Sequence, residues 1–229
     1  ANVIIPNEQI AELQANLVRS HAAGVGEPLS LPNTRMLLAL RLNVLAKGHS
    51  GIRPDSIRTM LACLNHNCLS RVPSQGTVGA SGDLAPLSHL ALGMMGEGLM
   101  WKPEAIPSPL AAHSSSTTHA GPSAVFEPAG DVLARFGITP LNLQAKEGLA
   151  LINGTQLIAS LGAEAVVRAK RVARTADVVA ALTLEVLKGT VTAYNPLIHA
   201  ARPHRGQGRV AARVRSLLVE RSAEGAEVK

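Results

Sequence analysis

The chain has to build its core almost without aromatic side chains. It holds 229 residues, of which 46% are hydrophobic, but only two Phe, one Tyr and one Trp occur. Leu, Ala, Val and Ile must therefore fill the interior, and at this density they favour packed helices over a β-sandwich. Charged residues amount to 17%, which excludes disorder as the general state. We expect a mainly α fold, a helical bundle of long antiparallel helices.

Apolar residues recur at helical spacing along most of the chain. The predicted helices cover about 7–20, 33–47, 54–64 and 84–96, followed by a long helical pattern over 146–188 and a last helix from about 207. Between 103 and 128, by contrast, Pro, Ser, Thr and Ala dominate, which is typical of a low-complexity loop insertion. That segment is predicted to lie outside the core.

Charge and cysteine spacing argue against several classes of partner. The net charge is +6, but no base-stacking aromatics or nucleic-acid-binding motif accompany the arginines near the carboxyl end. Cys63 and Cys68 lack the CxxC spacing of a zinc site. His66 between them is a third possible ligand, but no fourth is nearby. No apolar run approaches the length of about 18 residues that a membrane span needs, and no signal peptide is expected. We expect a soluble, cytoplasmic chain with no nucleic acid, membrane or metal partner.

The segment that points most directly to chemistry is a glycine-rich turn before a helix. It reads Gly79-Ala80-Ser81-Gly82-Asp83, and its glycines permit close backbone approaches that other residues forbid. Ser81 is placed to be a helix N-cap, an exposed nucleophile or a residue that undergoes backbone chemistry. A hydrolase elbow needs Gly-x-Ser-x-Gly and a phosphate loop needs Gly-Lys-Ser/Thr, and the turn has neither pattern. From the residues alone, a glycine-rich capped turn is the simpler interpretation.

A longer stretch around this turn resembles the signature of the aromatic amino acid ammonia-lyases. The stretch is Gly76-Thr-Val-Gly-Ala-Ser-Gly-Asp-Leu-Ala-Pro-Leu87. Further segments resemble motifs of the same family in the same order, namely Leu13–Gly24, Asn43–Gly48, Lys146–Gln156 and Arg202–Gln207. By this resemblance the chain is identified as a member of the family over nearly its whole length, except the 103–128 insertion and the polar tail.

The resemblance implies a prosthetic group made from the chain itself. In the family an Ala-Ser-Gly segment cyclises without help into a 4-methylidene-imidazol-5-one, an electrophile that no ordinary side chain provides. Here the amide nitrogen of Gly82 would attack the carbonyl carbon of Ala80. Loss of water from the ring and from the Ser81 side chain would then leave the methylidene carbon. No metal or external cofactor is expected.

Three further residues receive roles through the resemblance. Asn153 matches an active-site asparagine, and Asn153-Gly154 would break the long helical pattern so that the amide enters a pocket; a helix capped at Asn153 is the alternative. Asp83 matches a residue that supports ring formation, and a first-turn acid on the following helix is an equal alternative. His21 matches a histidine that lines the substrate side-chain pocket in histidine-selective members, whereas a lone histidine after a helix is otherwise exposed or capping.

Together these matches predict an ammonia-lyase that converts L-histidine to urocanate and ammonia as a homotetramer. The alternatives are a phenylalanine or tyrosine lyase or an aminomutase of the same family, and a truncated, non-catalytic assembly subunit. Family chains are longer and carry further catalytic residues, so we expect a fragment that is inactive by itself. We assign 1–135 to part of the prosthetic-group domain and 136–229 to the beginning of the central helical bundle.

Overall fold

The computed structural model describes residues 5–103 and 125–219, and their fold is mainly helical, as predicted. The α-helices of these residues are α1 (Ile10–His21), α2 (Leu31–Leu45), α3 (Pro54–Asn65), α4 (Leu84–Met94), α5 (Ala129–Arg135), α6 (Glu147–Ile152), α7 (Gln156–Val186), α8 (Pro196–Ala200) and α9 (Arg205–Val219). The chain divides into two compact units, residues 1–162 and 163–229. The first unit extends past residue 135 because α6 packs against α1 and α4. The assignment of 1–135 and 136–229 to domains of the family stays a prediction.

Two short antiparallel sheets, which the helical periodicity does not predict, belong to the first unit. The strand β1 (Val25–Pro28) pairs with β2 (Pro73–Gln75), and β3 (Leu99–Trp101) pairs with β4 (Phe126–Pro128). In the second sheet the rings of Trp101 and Phe126 lie 4.5 Å apart. The prediction that 103–128 is a low-complexity loop outside the core is therefore wrong at the carboxyl end of that segment, because Phe126 is buried and paired with Trp101. Residues 104–124 lie outside the described residues.

The core of the first unit is aliphatic, as the composition predicts. Its largest fully buried side chains are mostly Leu and Met of the helices. The helix α4 lies at the centre of this core, with eight of its 11 residues buried, and it packs against α1, α3, α5 and α6. Because α4 directly follows the glycine-rich turn, its burial fixes one end of that turn in a tightly packed environment.

The long helical pattern over 146–188 consists of two helices separated by a break. The helix α6 ends at Ile152 and α7 begins at Gln156. Between them Asn153 has an extended backbone, with φ of −89° and ψ of 105°. The break predicted at Asn153-Gly154 is therefore confirmed.

The second unit consists of the remainder of α7 together with α8 and α9. Arg213 of α9 forms an ion pair with Asp177 of α7, and Arg215 donates a hydrogen bond to the carbonyl of Tyr194. Ala181, Ala211 and Val214 are buried in this unit, whereas α7 exposes many of its valines to solvent.

By length and composition alone, residues 147–186 could cross a membrane, with a mean hydropathy of 1.3 in an 18-residue window. One such stretch is weak support for membrane insertion, because core helices of soluble proteins pass the same criterion. Here the stretch also contains the break after Ile152. The expectation of no membrane partner stays a prediction.

Candidate active site

The glycine-rich turn lies between β2 and α4 and exposes its central residues. Ala80 and Ser81 are exposed, whereas Asp83, the last residue before α4, is fully buried. Gly82 has a φ of 101°, which residues with a side chain rarely adopt. A Cβ atom added to Gly82 would lie 2.5 Å from the carbonyl oxygen of Gly154. The turn therefore packs directly against the break between α6 and α7.

The side chain of Asn153 reaches the same turn from the break. Its Nδ2 donates a hydrogen bond to the carbonyl oxygen of Ser81 at 2.6 Å. Ser81 and Asn153 are separated by 72 positions in the sequence, so only the tertiary fold brings them together. The structure thus joins the predicted site residues Ala80, Ser81, Gly82 and Asn153 in one cluster.

Asp83 ties the turn to the helix that follows the break. Its carboxylate accepts hydrogen bonds from Thr77 Oγ1 and from the backbone N–H of Ile158, both at 3.0 Å. Its own N–H donates to the carbonyl oxygen of Gly154 at 2.6 Å. Ile158 is the third residue of α7, so the carboxylate caps the N-terminus of α7, where the helix dipole favours negative charge. It makes no capping hydrogen bond to α4, the helix that Asp83 precedes.

Arg41 is a component of this cluster that the sequence analysis misses. It lies on α2 and is 2% exposed, and burial lowers its pKa to about 10. Its Nη1 donates to Gln156 Oε1 at 2.7 Å, and its Nη2 donates to the carbonyl of Asn153 at 2.9 Å and to that of Ala150. One feature of the sequence could have identified Arg41, namely its position among the leucines of α2. An arginine that is buried with them is unusual, because arginine is rarely fully buried.

Glu147 anchors the start of α6 and is 1% exposed. Its Oε1 accepts hydrogen bonds from the N–H of Arg53 and from Ser56 Oγ, while Oε2 accepts from the Arg53 guanidinium and from the N–H of Gln144. Burial by itself raises the pKa of Glu147, but these hydrogen bonds, the Arg53 side chain first among them, lower it below its ordinary value. The carboxylate therefore joins α6 to α3.

His21, the predicted pocket residue, lies half-buried at the end of α1. Its Nδ1 lies 2.8 Å from the carbonyl oxygen of Leu17 and 3.1 Å from Ser20 Oγ. These contacts are local to α1. Within residues 5–103 and 125–219, no hydrogen bond joins His21 to the Ala80–Gly82 segment, so the structure does not bring the two together directly.

His89 holds the chain after α1 against α4 and receives no role from its sequence pattern. Its Nε2 accepts a hydrogen bond from the backbone N–H of Gly24 at 3.0 Å. Burial, followed by the charge of Arg71, lowers the pKa of His89. Because a protonated ring nitrogen cannot accept a hydrogen bond, this contact requires the neutral ring.

The cysteines are buried and unpaired with each other. Burial raises the pKa of the Cys63 thiol to about 12 and that of Cys68 to about 11, so both thiols stay protonated near neutral pH and are poor nucleophiles. In the part of the chain that the structure describes, no group of three or more His, Cys, Asp and Glu residues could hold a metal ion. Neither cysteine contributes a nucleophile to the cluster.

Known proteins match both the sequence and the fold. The family model of the aromatic amino acid lyases matches residues 1–227. Histidine ammonia-lyase of Rattus norvegicus is 56% identical over 218 residues, which are 95% of this chain and 30% of that protein. The crystal structure of histidine ammonia-lyase from Trypanosoma cruzi has a TM-score of 0.80 at 51% identity, covering 94% of this chain and 38% of the other. Tyrosine aminomutase from Streptomyces globisporus has a TM-score of 0.79 at 36% identity, covering 98% and 42%.

The chain spans less than half the length of each of these relatives. The match nevertheless extends over nearly all of this chain, in sequence and in fold. It includes the glycine-rich turn and the broken helix, the segments that form the cluster. The chain belongs to the aromatic amino acid lyase family.

Proposed function

We propose that Ala80, Ser81 and Gly82 cyclise into a 4-methylidene-imidazol-5-one. The reaction joins the amide nitrogen of Gly82 to the carbonyl carbon of Ala80 and releases two molecules of water, one of them from the Ser81 hydroxyl. When formed, the ring supplies an electrophile that ordinary side chains lack. The small, exposed residues of the turn and the close approach of Gly82 to the Gly154 backbone, which a side chain at position 82 would prevent, fit this chemistry.

The observation that carries the proposal is the hydrogen bond from Asn153 Nδ2 to the carbonyl of Ser81, at 2.6 Å. It links the ring-forming turn to a second motif of the family, from a distant part of the sequence. We assign Asn153 to orienting this segment and the substrate beside it. Asp83 supports the segment through its contacts with Gly154 and Ile158, and the N-terminal end of α4 favours negative charge that develops next to the turn.

The reaction that we propose for the protein is the release of ammonia from L-histidine to give urocanate. Two histidine ammonia-lyases match at 56% and 51% identity, and the tyrosine aminomutase matches at 36%. We assign His21 to the pocket for the substrate side chain. A base removes a β-proton as ammonium departs. We also propose that the protein acts on this small amino acid as a homotetramer.

Turnover with and without Ser81 tests the activity. Protein expressed from the complete reading frame that encodes this chain should release ammonia from L-histidine, and Ser81→Ala should abolish the release. Ser74→Ala, at an exposed position on β2, is the matched control and should retain it. A wild type that acts on neither histidine, phenylalanine nor tyrosine would reject the lyase and favour a non-catalytic assembly subunit.

Replacement of His21 tests the choice of substrate. His21→Leu should lower turnover of L-histidine more than turnover of L-phenylalanine, because it removes the polar group assigned to the imidazole. His49→Leu, at an exposed position, should change neither. An unchanged preference in His21→Leu would remove His21 from the pocket. Conversion of L-tyrosine to its β-amino acid isomer by the wild type would favour the aminomutase alternative.

A further inference from the structure

Arg41 satisfies the backbone of the helix break from within the core. Its Nη2 donates to the carbonyl oxygens of Ala150 and Asn153, and its Nη1 donates to Gln156 Oε1. In a continuous helix those carbonyls would accept from the N–H groups four residues later. Carbonyls at a helix C-terminus lose these partners and carry partial negative charge. The guanidinium therefore replaces helical hydrogen bonds that the break removes.

The same guanidinium packs against the backbone that contacts the turn. A Cβ atom added to Gly154 would overlap Arg41 Nη1 and Gln156 Oε1. On its other side, the carbonyl oxygen of Gly154 accepts from the N–H of Asp83 at 2.6 Å and faces Gly82. Arg41 and Gly154 thus form an unbroken series of contacts from the core to the glycine-rich turn.

Stability alone is a poor explanation for a guanidinium at this position. All the hydrogen-bond partners of Arg41 are uncharged, and its buried Nε has no partner among the described residues. Burial of a cation without a carboxylate is unfavourable, and apolar side chains of similar volume often replace buried charges without loss of stability. The geometry that the planar fork imposes on the break is the better explanation.

We propose that Arg41 is a positioning residue, whose guanidinium holds the Asn153–Gly154 backbone so that the Asn153 amide and the Gly154 carbonyl meet the glycine-rich turn. Its effect on catalysis rests on the proposed function. Its effect on the geometry of the turn does not, because the contacts of Gly154 with Gly82 and Asp83 exist in the uncyclised chain.

Hydrogen exchange at the Asp83 amide tests the positioning directly in the whole protein. Arg41→Lys keeps the charge but loses the planar fork that reaches several acceptors, and Arg41→Met removes the charge as well. Both should accelerate exchange of the Asp83 N–H about tenfold. Arg35→Lys, at an exposed position on the same helix, should leave that rate unchanged.

The amide of Met60 in α3 is the internal reference for this experiment, because general destabilisation would accelerate it together with Asp83. Selective acceleration at Asp83 is the result that we expect. Exchange at Asp83 that stays unchanged in both Arg41 variants, or that rises only in parallel with Met60, would overturn the proposal.

A double-mutant cycle in kcat tests the catalytic consequence. Arg41→Lys should lower kcat about tenfold or more. Its combination with Asn153→Ala should lower kcat by clearly less than the product of the two single losses, because part of the effect of Arg41 acts through the Asn153 amide. Effects that multiply would overturn the proposal. If the Arg41 variants do not fold, Gln156→Met, which removes one acceptor, should show a smaller loss with the same non-additivity. If the wild-type protein did not form the ring, the proposed function would be rejected. The hydrogen-exchange experiment would then decide the role of Arg41 by itself.

Discussion

Removal of the Asp83 carboxylate should detach the glycine-rich turn from α7 and destabilise the first unit. The carboxylate accepts from Thr77 Oγ1 and from the N–H of Ile158, at 3.0 Å each, and Asp83 is fully buried. Loss of a helix N-terminal cap costs about 1 to 2 kcal/mol, and the hydroxyl-to-carboxylate hydrogen bond contributes about 1.5 kcal/mol. We therefore expect Asp83→Ala to lower the free energy of unfolding by about 3 kcal/mol.

Asp83→Asn is the matched variant, because it has the same shape without the charge. Its side-chain oxygen still accepts from the N–H of Ile158, and the Thr77 hydroxyl can rotate to accept from the new amide. We expect a loss of about 1 kcal/mol. A loss in Asp83→Asn well below that in Asp83→Ala would attribute the stabilisation to the two hydrogen bonds more than to the charge.

Urea unfolding followed by Trp101 fluorescence measures both losses. Trp101 is the chain's single tryptophan and lies on β3 in the first unit, which also contains Asp83. With a denaturant slope of about 2 kcal/mol/M, a loss of 3 kcal/mol lowers the urea midpoint by about 1.5 M. Asp55→Ala, whose side chain is 78% exposed, should stay within about 0.5 kcal/mol of the wild type. If Asp83→Ala itself lost no more than about 0.5 kcal/mol, the role of Asp83 in joining the glycine-rich turn to α7 would be refuted.

Two further predictions concern pH. The pKa of Glu147 is lowered from 4.5, so its stabilisation is complete above pH 4.5 and is lost as the pH falls through the folded-state pKa. Glu147→Gln should lower the free energy of unfolding by about 2 kcal/mol at neutral pH, and the variant should lose less further stability than the wild type when the pH falls below 4.5. An equally steep loss of stability at acid pH would contradict the role of the bond between Glu147 and Arg53. The pKa of His89 is lowered from 6.5, so the neutral ring that accepts from Gly24 stabilises the fold above pH 6.5, and stability falls below it. Chemical denaturation above and below pH 6.5 should show that stability depends less on pH in His89→Gln than in the wild type, and equally in His49→Gln. An unchanged pH dependence in His89→Gln would contradict the contact between His89 and Gly24.

Local sequence signals predict the helices and the break, because both depend on neighbouring residues. Apolar spacing marks most of the helices, and the Asn153-Gly154 pair marks the interruption of the long pattern, which the structure confirms. The glycine at position 82 also carries a local signal, and its φ of 101° explains why a side chain is unfavourable there.

Contacts between distant segments carry no such signal. Arg41 and Gln156 are 115 positions apart, and Asp83 reaches the N–H of Ile158 across 75 positions. Periodicity places Arg41 on a helix but does not reveal its acceptors. The strand Phe126–Pro128 has three residues, too few for an alternating pattern to emerge from a stretch rich in Pro, Ser and Thr. Pairing with β3 therefore determines its structure more than its own sequence does.

The intact mass of the protein purified from its own source tests the ring most directly. Cyclisation of Ala80, Ser81 and Gly82 should make the protein lighter than its translated sequence by two waters, about 36 Da. Peptide mapping should assign the whole deficit to these three residues, and Ser81→Ala should lack it. A peptide that contains 80–82 at its full translated mass would contradict the proposed prosthetic group and the ammonia-lyase reaction that depends on it.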